Sequence, residues 1–329
     1  MGFHSIIEAM DKTNFTIIVT EPIHSAGINY LKREGVKIVE MPPNSSEADL
    51  LRISPQADAL ITRGNLKVTR GIMAASPKLK VIGVHGVGWD HIDIEAAKNL
   101  DKRVFNTPTA LTDTVAEMTI ALMLALTRRI VSADKAVRSE KWVRKYGDLV
   151  GSEIMGKTIG IIGLGRIGTA VAYRLKPFKV NLIYFDVLDR SGLEKELGIR
   201  KANLDCLLRE SDIITIHVPL TPQTEDLISH REFKLMKKGA YIVNVSRGKI
   251  VNEKALIEAL NDGRIAGAAL DVFEKEPIES SNPLMHMDNV ILTPHIGASS
   301  REAMKRMAIQ VSEGVMKILR GGIIENLIV

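Results

Sequence analysis

A glycine fingerprint, Gly163-Leu-Gly165-Arg166-Ile167-Gly168, lies near the middle of a chain of 329 residues. It follows the apolar run Thr158-Ile-Gly-Ile-Ile162 and opens the amphipathic stretch Thr169 to Leu175. That order is strand, tight turn, helix. Each glycine has a physical task in such a turn. Gly163 permits the reversal, Gly165 has no Cβ to obstruct a diphosphate, and Gly168 lets the helix lie close to the sheet. The first amides of the helix have no intrahelical partner and carry the positive end of the dipole, which suits a diphosphate. A dinucleotide fold normally begins with this turn, so its midchain position predicts a separate domain ahead of it.

The next segment strengthens the motif. Asn181-Leu-Ile-Tyr-Phe-Asp186 has the pattern of a second strand ending in an acid, 18 residues after Gly168. A carboxylate at that spacing accepts hydrogen bonds from ribose hydroxyls and repels a 2′-phosphate. The expected cofactor is therefore NAD. Arg190 is the nearest cation and keeps an NADP-linked alternative open.

The length suits about two domains, and 45% hydrophobic with 25% charged residues is ordinary globular composition. No apolar run reads as long enough to span a bilayer. The first residues lack a basic start and carry Glu8 and Asp11, unlike a secretory signal. The single cysteine, Cys206, lies in an apolar helical stretch and is expected to be buried packing. These features predict a cytoplasmic protein with no membrane partner. The net charge of +5 comes without a dense Lys/Arg run, and aromatics are only 4%. Anionic small ligands are the expected partners, not nucleic acid.

Before the fingerprint, strands are expected at Phe15–Thr20, Val36–Val39, Ala59–Thr62 and Lys80–Val84, alternating with helices at Ile23–Arg33 and Glu47–Ile53. That alternation implies a parallel sheet covered on both faces. Residues 1–14 suggest a loose extension or short helix. Asn106-Thr107-Pro108 breaks the pattern, and a long apolar helix is expected from about Thr112 to Arg129, with Asp113 and Glu117 in its first turn and Arg128 and Arg129 in its last. Six strands are expected in the fingerprint domain. A final amphipathic helix, Ser299 to Leu319, can return to the first domain.

In open parallel sheets, ligands bind outside the carboxyl ends of the strands. The expected strand ends carry His217-Val218-Pro219, Ser246-Arg247-Gly248, Asp271 with Glu274 and Glu276, and Pro294-His295. An arginine fork binds a carboxylate through two parallel hydrogen bonds. A histidine near neutral pKa exchanges a proton with a hydroxyl or carbonyl, and a neighbouring carboxylate orients it and favours its charged form. Beside a nicotinamide, such a set would oxidise the hydroxyl of a 2-hydroxy acid. Taken singly, Arg247 suits a surface ion pair, His295 a satisfied core histidine and Glu276 a loop charge. Their joint placement beyond a dinucleotide fingerprint favours the chemical reading. No His/Cys/Asp cluster has metal-ligand spacing, so no metal is expected.

The motifs Gly163–Gly168, His217-Val-Pro-Leu-Thr-Pro-Gln-Thr224, Asn244-Val-Ser-Arg-Gly248, Asp271-Val-Phe-Glu-Lys-Glu-Pro277 and Thr293-Pro-His-Ile-Gly297 resemble those of the D-isomer-specific 2-hydroxyacid dehydrogenases over essentially the whole chain. The resemblance implies an α/β fold of two doubly wound parallel-sheet domains. A Rossmann NAD domain, residues 108–299, would be inserted into a flavodoxin-like substrate domain, residues 1–107 with 300–329. It implies that Arg247 holds the substrate carboxylate and carbonyl, that His295 is the acid/base and that Glu276 is its partner. Relatives that oxidise formate have glutamine at this last position. Arg166 and Ile167 would hold the diphosphate and Asp271 the nicotinamide amide. His217, Val218, Pro219, Thr224, Val245, Ser246, Gly297 and Ala298 would line the cofactor cleft. In the first domain, His85-Gly86-Val87-Gly88 resembles the loop that binds the substrate carboxylate. A two-fold homodimer is implied.

Ile61-Thr-Arg63-Gly-Asn-Leu-Lys67-Val-Thr69 resembles the phosphoglycerate dehydrogenase version of its segment, where the arginine faces a substrate phosphate. The regulatory domain of many such enzymes is not expected here. The expected substrate is a small anionic 2-hydroxy or 2-keto acid, with 3-phosphoglycerate as the lead. Glyoxylate or hydroxypyruvate reduction is the first alternative, and Arg63 also suits an ordinary surface position. A non-enzymatic NAD(H)-sensing protein of the corepressor kind is the alternative from another class.

Overall fold

The computed structural model describes residues 15–142, 147 and 149–329; the extension expected over residues 1–14 lies outside them. The chain divides into two compact units, cut between Leu111 and Thr112 and between Gly297 and Ala298.

The outer unit holds a parallel sheet of β1 (Thr16–Val19), β2 (Lys37–Glu40), β3 (Ala59–Thr62), β4 (Val81–Val84) and β5 (Arg103–Phe105), in the order β2-β1-β3-β4-β5. Successive side chains of a strand face opposite ways. Ile18, Leu60 and Ile82 accordingly join one core, and Ile17, Val19, Ile61 and Val81 join another. In β1, β3 and β4 both faces are buried, which is why these strands are short apolar runs without polar alternation. The helix Arg301–Leu319 covers the second face with Val311, Val315 and Met316. The last residues of the described chain thus complete the first unit.

The inner unit holds seven strands: β6 (Thr158–Ile162), β7 (Asn181–Phe185), β8 (Ile199–Lys201), β9 (Ile213–Ile216), β10 (Ala240–Asn244), β11 (Ile265–Leu270) and β12 (Val290–Leu292). Their order is β8-β7-β6-β9-β10-β11-β12, all parallel. This is the doubly wound dinucleotide order with one extra strand, and it reverses between β6 and β9.

Several elements differ from the sequence-based expectation. β5 and β8 are three-residue strands, too short to show a period. The apolar helix runs Pro108–Thr127 and starts earlier than expected. Pro108 opens it, since proline at the first helical position loses no needed hydrogen bond. It ends at Thr127, so Arg128 and Arg129 lie beyond its last turn, and Arg129, at φ 53°, leads into a second helix, Ile130–Arg138. With 20 residues, Pro108–Thr127 is also long and apolar enough to cross a membrane by length and composition, contrary to the sequence reading. Core helices of globular folds pass the same test. Here 44% of its apolar window is buried, and Asp113 pairs with Arg174 at 2.7 Å. Cys206 is only half-buried, and its thiol donates to Glu210 at 2.8 Å.

Candidate active site

The fingerprint turn joins β6 to the helix Arg166–Leu175, with Gly165 as its N-cap. Gly163 has φ 92°, and a Cβ there would strike the His217 carbonyl and Val218. A Cβ on Gly168 would sit 2.0 Å from the Gly163 oxygen, so turn and helix touch backbone to backbone. The space beside Gly165 is open, at the amide end of the helix, as a diphosphate requires. Asp186 follows β7 and is mostly buried. It accepts from Leu164 N at 2.9 Å and from Leu188 N at 2.8 Å, and Arg190 Nε lies 3.3 Å away. The carboxylate is thus tied to the fingerprint turn and already neutralises the nearest cation. These residues fit a dinucleotide with unphosphorylated ribose.

His217 and Val218 follow β9, at the point where strand order reverses. Burial lowers the His217 pKa to about 3, and its Nε2 lies 2.9 Å from Thr215 Oγ1. Its Nδ1 is buried without a hydrogen-bond partner. Thr224 closes its own loop, donating to Pro219 O at 2.7 Å and accepting from Thr221 N at 2.7 Å.

Three strand ends of the same sheet carry Arg247, Glu276 and His295. After β10, buried Asn244 shapes the turn through Val245 to Arg247. Its Oδ1 accepts from Ser246 N at 3.1 Å, and its Nδ2 donates to Arg247 O at 2.9 Å. Arg247 Nη1 donates to Ser246 O at 2.7 Å. Gly248 lets this turn meet the loop after β11, since a Cβ there would lie 1.9 Å from the Phe273 carbonyl carbon. On that loop, Glu274 and Glu253 accept from each other's backbone amides, both at 2.7 Å. Glu276 Oε1 accepts from Phe273 N at 3.0 Å, and Oε2 lies 2.7 Å from His295 Nδ1.

Burial pushes the Glu276 carboxyl up, but the His295 hydrogen bond, the Phe273 amide and the charges of His295 and Arg247 outweigh it and hold the pKa below the ordinary value. An ionised carboxylate only accepts, so Nδ1 carries the proton of this bond and Nε2 is the nitrogen left for other chemistry. His295 has φ 53°, a region few non-glycine residues occupy, at a cost of about 1–3 kcal/mol. Its amide donates to Asp271 O at 2.8 Å and Thr293 O at 3.0 Å. The buried Asp271 carboxylate accepts from Thr293 Oγ1 at 2.5 Å, Ile296 N at 2.9 Å and Gly297 N at 2.7 Å. Asp271 therefore holds the His295 loop. Among the described hydrogen bonds, Oδ2 accepts one and Oδ1 two. Ala298 follows Gly297 directly, on the other side of the division between the units.

The remaining expected residues belong to the outer unit. Arg63, after β3, is exposed and donates from Nη1 to Pro22 O at 2.8 Å. His85, after β4, is buried, with its Nε2 lacking a partner. Burial, then the charge of Arg63, lowers its pKa to about 4. Gly86 N donates to Thr107 Oγ1 at 3.0 Å and Val87 O accepts from Asn106 Nδ2 at 2.8 Å, which shapes the loop that continues to Gly88. Sequence reasoning missed the supports Asn244, Glu253 and Asn106. Asn244 acts on its own turn, whereas Glu253 and Asn106 reach backbone groups 21 and 19 residues away, and no local pattern marks such distant bonds.

A doubly wound dinucleotide domain with an arginine, a glutamate and a histidine at successive strand ends defines an oxidoreductase class. Residues 120–297 match the family model described as D-isomer specific 2-hydroxyacid dehydrogenase, NAD binding domain. The chain is 44% identical over 320 residues to a glyoxylate reductase of Thermofilum pendens, covering 95% of this chain and 93% of the relative. It is also 44% identical to a D-3-phosphoglycerate dehydrogenase of Methanocaldococcus jannaschii, covering 95% of this chain but 59% of the relative. The chain thus spans well under two thirds of that longer relative. A solved structure from Thermus thermophilus superposes with a TM-score of 0.90 at 34% identity, covering 96% of this chain and all of the other. The chain belongs to the D-isomer-specific 2-hydroxyacid dehydrogenase family. It is accordingly an NAD-dependent oxidoreductase of D-2-hydroxy acids.

Proposed function

We propose that the reaction interconverts a small D-2-hydroxy acid and its 2-keto acid, with His295 as acid/base, Glu276 as its partner and Arg247 as the carboxylate and carbonyl ligand. The observation that carries this reading is the His295–Glu276 pair at 2.7 Å on a loop held in a rare backbone conformation. In reduction, His295 Nε2 gives a proton to the carbonyl oxygen while Glu276 stabilises the protonated ring. In oxidation, Nε2 takes the hydroxyl proton back. Arg247 holds the acid's carboxylate by its guanidinium fork and, by its charge, adds to the His295 and Phe273 hydrogen bonds that hold the Glu276 pKa down. When bound, the nicotinamide donates or accepts the hydride at C2. Gly163, Gly165, Arg166, Ile167 and Gly168 hold the diphosphate and Asp186 the ribose. His217, Val218, Pro219, Thr224, Val245, Ser246, Asp271, Gly297 and Ala298 complete the cofactor site. Residues 85–88 bind the substrate carboxylate in the outer, substrate-binding unit.

For the acid itself we favour 3-phosphoglycerate, with Arg63 as the phosphate ligand. The exposed guanidinium of Arg63 beside neutral His85 supports it. Glyoxylate or hydroxypyruvate reduction is the second reading, favoured by the Thermofilum relative that the chain spans almost completely. NADH-dependent reduction of hydroxypyruvate 3-phosphate, hydroxypyruvate and glyoxylate decides between them. The first reading expects the phosphorylated acid to have the highest kcat/KM; a tenfold preference for glyoxylate would establish the second. A cytoplasmic homodimer without nucleic-acid or membrane partners completes the reading. Exposed Ile130, Val131 and Val137 on one short helix support self-association.

A further inference from the structure

Glu21 follows β1 and is 4% exposed. Its Oε2 accepts from Arg63 N at 2.9 Å and from the Thr20 hydroxyl. Its Oε1 accepts from Asn65 N at 3.0 Å and Leu66 N at 3.2 Å. A carboxylate has about four acceptor positions. Here three are filled by amides of one short loop, the loop after β3. Converging amides in a turn form a concavity suited to an anion. In this loop the anion is the protein's own. The next residue, Pro22, adds a second hold through the bond from Arg63 Nη1 to its carbonyl at 2.8 Å. Backbone and guanidinium of Arg63 are therefore both tied to the segment after β1, at Glu21 and Pro22.

The location has a meaning of its own. β1 and β3 are neighbours, and strand order reverses between them. Open α/β sheets take ligands outside the strand ends at such a reversal. A buried carboxylate there would repel an anionic substrate unless its acceptors were occupied. The loop amides occupy them, which leaves the Arg63 guanidinium as the anion-binding group of this strand end.

We infer that Glu21 is a positioning residue that sets Arg63 and thereby the preference for an acid with a second anionic group. By filling the amide concavity, it makes the side chain of Arg63, rather than the loop backbone, the ligand of that group. The inference rests on the phosphate reading of Arg63. A residue that merely stabilised its unit would change all substrates alike.

The test measures kcat and KM for hydroxypyruvate 3-phosphate, hydroxypyruvate and glyoxylate with the full chain. The variants are Glu21→Gln, Arg63→Met and the double variant. Glutamine keeps its oxygen for the Asn65 and Leu66 amides but turns an NH2 group toward the Arg63 amide, which releases that end of the loop. Glu21→Gln is expected to lower kcat/KM for the phosphorylated acid by about 10- to 100-fold, mainly through KM, the range of one charged hydrogen bond. Glyoxylate, with no distal anion, should change far less. In the Arg63→Met background, Glu21→Gln should add little further loss for the phosphorylated acid. Equal losses for all three acids, or an additive double variant, would overturn the role of Glu21 while leaving the phosphate reading intact. If Arg63→Met itself leaves the substrate preference unchanged, the phosphate reading fails, and the role of Glu21 with it. Should Glu21→Gln not fold, Glu21→Asp, which keeps the acceptors but reaches fewer amides, gives the same comparison.

Discussion

His85 follows β4 and His295 follows β12, so each stands just past the carboxyl end of a parallel strand. Their surroundings are opposite. His85 is buried, faces the charge of Arg63 and is lowered to a pKa of about 4. His295 has a half-exposed side chain and lies against Glu276, which is itself held ionised. The first ring stays neutral near pH 7 and can only make hydrogen bonds. The second has a counter-charge for its protonated form and access for a substrate. The difference teaches what suits a strand-end histidine to acid–base chemistry: access, and a carboxylate that supplies the charge stabilisation burial would take away.

Removing the His295 ring, proposed as the acid/base, gives the largest expected effect. His295→Ala should lower kcat by about 10²- to 10⁴-fold, the usual contribution of a general acid–base group. NADH binding, followed by fluorescence titration, should stay near wild type, because the fingerprint and Asp186 are untouched. Turnover within about threefold of wild type, far short of that contribution, would remove His295 from the mechanism and erase the contrast with His85.

Glu276→Gln tests what makes the two rings different. The amide keeps the shape but not the charge that stabilises the protonated ring. Reduction should slow by about 10- to 100-fold, an intermediate loss for a charged hydrogen bond. The loss should fall on kcat, with KM for the acid near wild type, because Arg247 is untouched. A loss confined to KM would mean that Glu276 acts in binding the acid and not on the ring.

Much of this contrast was legible in the sequence, for definite reasons. The fingerprint, the strand alternation and Arg247, Glu276 and His295 are local patterns, and the chain places them where those patterns imply. β5 and β8 escaped because three residues carry no period. The early start at Pro108 escaped because a proline was read as a break and not as a first helical residue. The supports of the site were invisible for another reason. Glu21 bonds to amides more than 40 residues away, and Asp271 to amides 25 and 26 residues away. Backbone donors leave no trace in residue identity. In the sequence, Glu21 is a charge before a proline and Asp271 is an acid at a strand end. Neither position reveals whether the carboxylate faces a ligand or the chain itself.

The smallest expected effect concerns His85, and it appears in stability. Its folded pKa of about 4 lies below the ordinary 6.5. Above 6.5 both the folded and unfolded rings are neutral, and the stability associated with the neutral ring is complete. As pH falls below 6.5 the unfolded ring takes a proton that the folded one refuses, so stability is lost until about pH 4 and then levels off. The full effect is on the order of 3 kcal/mol or less. His217, lowered to about 3, contributes a loss of the same sign. A direct melting curve therefore mixes the two rings. His85→Asn removes one titration and leaves the other, so the informative quantity is the wild-type minus variant difference in Tm. That difference should shift by several degrees in favour of the variant between about pH 7 and pH 4.5. A difference that stays constant over this range would show that folding does not oppose protonation of His85, and the neutral ring that separates it from His295 would be lost.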